Sequence, residues 1–120
     1  MKDKINVLGT EYRIEVRKIS KDKVLKDNQY GGYCCDDEPL IMIADTDDKE
    51  YFEDYTEKEK QLYISKLLRH EITHAFLNES GLQCSANTYD GSWARNEEMV
   101  DWFAIQSPKI YKVFAELDIL

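Results

Sequence analysis

Arg69-His70-Glu71-Ile72-Thr73-His74-Ala75-Phe76 is the stretch on which the reading of this 120-residue chain turns. Around it Leu62, Ile64, Leu67, Leu68, Ile72, Ala75 and Phe76 recur at helical spacing. Residues four apart on a helix lie one turn above each other, so His70 and His74 can aim two imidazole nitrogens at a single cation. Glu71, one step round from His70, can reach a water held by that cation. Such donors suit zinc, each nitrogen standing roughly 2.0–2.1 Å from the ion. The chain has 2 histidines and both are in this stretch. Two histidines scattered over such a length fall four apart roughly 1–2% of the time, and a Glu in the second place lowers a chance match to about 0.2%.

Thr56-Glu57-Lys58-Glu59 forms a capping box that starts this helix, and Ser80-Gly81 ends it. The stripe Ile64, Leu68, Ile72, Ala75 and Phe76 is predicted to bury the helix against a sheet, leaving His70, Glu71 and His74 beside a groove. Upstream, Ile5–Leu8 and Tyr12–Ile19 read as two strands about a turn at Gly9-Thr10. In the second, Tyr12, Ile14 and Val16 alternate with Glu11, Arg13, Glu15 and Arg17, which predicts one buried face and one wet one. Ser20–Gln29 reads as a loop or short irregular helix. Tyr30–Cys35 is an extended segment turned by Asp36–Pro39 into the apolar strand Leu40–Ala44, a candidate sheet edge for an extended substrate. Asp45–Tyr55 is an acidic loop whose spacing matches no calcium loop and which reads as a solvated charge run.

Downstream, Leu82–Ser92 is a polar connection. Asn96–Ile105 is helical, and Ser107-Pro108 is predicted to end it and to cap a further helix with Ile110, Val113, Phe114 and Leu117 on its apolar face. Strands early and helices late predict an α+β domain over residues 1–120. Its small, mostly antiparallel sheet of three to four strands packs on the motif helix, with two C-terminal helices added.

A hydrophobic content of 42% is that of a globular chain. No apolar run is long enough to predict a membrane span, and Met1-Lys2-Asp3-Lys4 does not open a leader peptide. Cys34, Cys35 and Cys84 lack metal or disulfide spacing and read as free thiols in a reducing, cytoplasmic compartment. A net charge of −8 argues against nucleic acid as a partner, since that binding is driven by cationic side chains on phosphates.

A catalytic zinc needs three protein ligands and one open position. Asn96-Glu97-x-x-x-Asp101 places two acids on one face of a second helix, so that Glu97 can bind the metal while Asp101 accepts the free ring N–H of a ligand histidine. Glu98 is the rival third ligand.

The two segments resemble a gluzincin, the thermolysin-like pattern His-Glu-x-x-His followed by Asn-Glu-x-x-x-Asp. The run Glu97-x-x-Val100-Asp101-x-Phe103-Ala104 is also similar to the second helix of ImmA/IrrE-type metallopeptidases, small intracellular enzymes common on phages and mobile elements. The resemblance implies a minimal zincin-like domain in which His70, His74 and Glu97 bind Zn2+. It makes Glu71 the catalytic base toward a peptide or protein substrate, and gives Asp101 the orientation of a histidine, His70. Nothing matches the histidine with which thermolysin-like enzymes stabilise the transition state. Tyr33, Tyr89 and Arg95 are candidates for that role, each also explicable by packing or surface use. The competing expectation is a zinc-binding regulatory or interaction module without hydrolytic activity.

Overall fold

A computed structural model of the chain describes residues 2–28, 30–82 and 92–120. The fold is α+β. Strands β1 (Lys4–Val7), β2 (Thr10–Arg17), β3 (Gly32–Cys34) and β4 (Leu40–Ala44) form one sheet in the order β1-β2-β4-β3. The β1–β2 and β3–β4 pairs are antiparallel, and β2 runs parallel to β4. A 3₁₀ turn (Ile19–Lys21) and helix α1 (Lys23–Asn28) make the crossover, and helices α2 (Lys49–Phe52), α3 (Glu57–Glu79) and α4 (Glu97–Glu116) follow β4.

The first hairpin turns at Leu8-Gly9, one residue earlier than the sequence suggests. Both have positive φ, 51° and 93°, the hand that a two-residue hairpin loop requires, and Asn6 Oδ1 accepts the Gly9 N–H at 2.9 Å. In β2 the alternation holds for Tyr12 and Ile14, but Val16 is 51% exposed. It lies at the end of the strand, beyond the cover of α3.

β4 reads as an unbroken apolar run because both its faces are covered. Ile41 and Ile43 meet Val7, Tyr12, Ile14 and the α3 stripe Ile64, Leu67, Leu68, Ile72 and Ala75. Leu40, Met42 and Ala44 meet Ile19, Leu25 and Phe52 on the other side. This corrects the expectation that Leu40–Ala44 is a sheet edge: it is an inner strand, and β3 is the edge beside it. Phe76, expected in the buried stripe, is 43% exposed.

α3 begins at the capping box, with both reciprocal bonds between Thr56 and Glu59 present, and ends at Ser80 before Gly81 in the left-handed region (φ 83°). Its last residue, Glu79, accepts from Thr10 Oγ1 at 2.9 Å and Tyr12 Oη at 3.0 Å, which ties the helix end to β2. In the acidic segment after β4, Asp45 and Asp48 accept backbone N–H groups of Asp47 and Glu50, so these acids serve a turn and the start of α2.

One helix stands where two C-terminal helices were predicted: α4 runs through Ser107 and Pro108 without a break. Proline at 108 removes the N–H that would bond the carbonyl of Ala104, four residues back. That carbonyl is instead taken by Arg69 Nε from α3, and Ala104 is fully buried. The helix survives its proline because a neighbouring helix supplies the missing donor. Arg69→Met is therefore expected to cost about 1–3 kcal/mol of stability by leaving a buried carbonyl unbonded. In the Pro108→Ala background, where the helix regains its own donor, the same change costs much less; urea denaturation of the four chains measures the coupling.

Candidate metal centre

His70 and His74 stand on consecutive turns of α3, and Glu97 occupies the first helical position of α4, capped by Asn96 through the Met99 N–H. Packing of Val100 with Leu77 and Ala94, together with the Arg69–Ala104 bond, holds the start of α4 against α3. The two Nε2 atoms are 3.2 Å apart. Glu97 spans both, with Oε1 at 2.8 Å from His74 Nε2 and Oε2 at 3.1 Å from His70 Nε2. Donors around a tetrahedral zinc with arms of roughly 2.0–2.1 Å are separated by about 3.3 Å, so the three side chains already have the spacing of a single coordination shell.

The protonation pattern points the same way. His70 Nδ1 lies 3.3 Å from Asp101 Oδ1. A carboxylate only accepts, so Nδ1 carries the hydrogen and Nε2 turns a lone pair toward Glu97. A carboxylate and a ring lone pair facing each other need a positive charge between them. Contact with Glu97 raises the His70 pKa against the opposing effect of burial, the direction that favours positive charge at this point. Hydrogen bonds from both histidines hold the Glu97 carboxyl well below the usual carboxylate range.

Glu71 lies beneath the pair, 5% exposed, with its carboxylate 3.8 Å from His70 Nε2. The ligand atoms of His70, Glu71 and His74 fall within 4.8 Å of one another, the one such group among the described residues. Glu97 approaches the histidines more closely than Glu71 does, which leaves Glu71 as a neighbouring carboxylate. Burial pushes its pKa up, while the two histidines pull it back.

These groups open on a cleft of about 530 Å³. β3 and the residues before it form one wall. A Cβ on Gly31 would collide with Tyr63 Oη of α3, and one on Gly32 would fall 2.9 Å from the Met42 carbonyl of β4, so glycine lets this backbone lie close to both neighbours. Cys34 belongs to the same wall, and desolvation pushes its thiol up to about 12, which keeps it uncharged. Cys34 and Cys35 are free thiols; Cys84 lies outside the described residues.

Of the candidates for stabilising an oxyanion, Tyr33 lines the cleft but donates its hydroxyl to Asp22 Oδ2 at 3.0 Å. Arg95 Nη2 lies 4.0 Å from Asp36 Oδ2, and Tyr89 is outside the described residues. Sequence reading passed over Lys66, whose Nζ lies 3.3 Å from the Asp101 oxygen that faces His70. Its signal was available: Lys66 precedes His70 by four and shares its helical face. The Lys66 ammonium and the His70 ring thus share one Asp101 oxygen. No family model, curated protein or solved structure matches the chain.

Proposed function

We propose that the chain is a metal-dependent hydrolase whose divalent ion is held by His70, His74 and Glu97. Within that class the reading is a zinc metallopeptidase of the gluzincin kind, resembling the small ImmA/IrrE-type enzymes and acting in the cytoplasm on a peptide or protein. The observation that carries it is the convergence of two imidazole Nε2 atoms and one carboxylate within 2.8–3.2 Å, from two helices, over a buried Glu71.

When bound, zinc supplies Lewis acidity, lowering the pKa of a water and polarising a carbonyl. His70 and His74 contribute neutral donors, and Asp101 fixes the tautomer that makes His70 one. Glu97 lowers the net charge of the centre. Glu71 accepts the proton of the attacking water and returns it to the departing amine, a task suited to a carboxylate whose burial makes it more basic than usual. β3, an edge strand that lines the cleft, offers its open side to an extended substrate in place of β4. No helix among the described residues is long and apolar enough to cross a membrane.

The second reading, a zinc-binding interaction module, draws support from the engagement of Tyr33 with Asp22. Against it stands Glu71: a structural zinc centre is closed by four ligands and has no use for a buried base beside an exposed cleft. Elemental analysis of the purified chain is expected to give about one zinc per molecule. Cleavage of a mixed peptide library should stop on chelation and resume when zinc is restored. A chain that takes up no zinc overturns the proposal; one that takes it up and cuts nothing leaves the module reading.

A further inference from the structure

The far half of α4 has no cover. Every residue from 111 to 120 is exposed, yet Tyr111, Val113, Phe114, Leu117, Ile119 and Leu120 are large and apolar, at 43–69% exposure. Ile110, Val113, Phe114 and Leu117 are spaced i, i+3, i+4, i+7 and so form one stripe. Phe103, one heptad before Ile110, continues that stripe into an almost wholly apolar groove of about 640 Å³ between α3 and α4, lined also by Phe76 and Trp93. An apolar surface this continuous marks a binding face rather than a scatter of single exposed residues.

The charges beside the stripe select its occupant. Lys109 and Glu116 are seven apart and lie on the same flank. Two copies of the helix laid antiparallel, crossing at Val113 and Phe114, set Ile110 against Leu117 of the second copy. The same register sets Lys109 against Glu116, and a twofold axis makes each contact twice. In a parallel pair that flank falls on opposite sides of the seam in the two copies, and Lys109 and Glu116 do not meet. The segment 105–120 carries Lys109, Lys112, Glu116 and Asp118, and so is neutral on a chain of net charge −8. That local neutrality removes the repulsion that would keep two such acidic molecules apart. It also argues against an anionic lipid surface, which draws basic helices.

We propose that the second half of α4 is a homodimer face, on which two copies of this chain pair antiparallel about Val113 and Phe114. The inference is independent of the metal centre, whose residues lie at the other end of α4. Sedimentation equilibrium of the full chain tests it. The wild type should dimerise, and Lys109→Glu or Glu116→Lys alone should raise the dissociation constant roughly tenfold, since each substitution turns two attractions into two repulsions. The double variant K109E/E116K should return close to the wild-type value. Phe114→Asp should leave a monomer with an unchanged circular dichroism spectrum; were that variant to unfold, the exposed charge pair still decides. A wild type that stays monomeric at millimolar concentration overturns the proposal, and so does a dimer indifferent to the charge exchange.

Discussion

Glu71→Gln is expected to keep its zinc and to lose peptide hydrolysis by roughly 10²–10⁴-fold in kcat/KM, the span attributable to a positioned proton acceptor. The amide matches the carboxylate in size, so the buried site under His70 and His74 keeps its packing. What disappears is basicity. Burial raises the proton affinity of Glu71 above that of an ordinary carboxylate, and glutamine has none to offer at that position. The measurement pairs zinc content with the rate on a cleaved peptide. Full activity in a zinc-loaded glutamine variant would remove Glu71 from the reaction, whereas loss of zinc along with activity would make it a ligand.

The second large effect concerns the ion itself. His74→Ala and Glu97→Ala each delete one of three donors and are expected to abolish stoichiometric zinc binding. Asp101→Asn removes only the acceptor that orients His70, and should weaken binding by roughly 10–100-fold, as outer hydrogen-bond partners of a ligand histidine do. Glu98→Ala should leave affinity unchanged, because both contacts to the histidines come from Glu97. Competition with a chromophoric chelator gives the four affinities on one scale. Equal loss from Glu98→Ala and Glu97→Ala would undo the choice of third ligand.

The placement of these side chains was legible in the sequence to the extent that it depends on helical period. His70 with His74, and Glu97 with Asp101, each sit one turn apart on a single helix, and the period of 3.6 puts them on common faces whatever the rest of the fold does. The capping box at Thr56 is local in the same sense. Sheet order is not. Leu40–Ala44 is apolar at every position, which fits an inner strand as well as a buried edge, and only the parallel pairing with β2 decides between them. Pro108 misled for a related reason. Its local effect is to end a helix, and the remedy is Arg69, 35 residues before the Ala104 carbonyl it bonds, which no window around the proline contains. Val16 and Phe76 fit their periodic patterns yet are exposed, because α3 does not cover the end of β2 and the groove beside Phe76 is open. The spacing of Lys66 and His70 showed a shared helical face, but the partner that gives Lys66 its role, Asp101, stands on another helix.

His70 and Glu97 are 27 residues apart in sequence and belong to separate helices. An ion gripped by both acts as a crosslink, closing a chain loop that runs through residues 83–91 whatever path they take. Unfolding must first open that loop and surrender the ion, so resistance to heat should climb with the logarithm of free zinc. If the proposed centre holds zinc, availability of the metal is as much a condition of endurance as of chemistry.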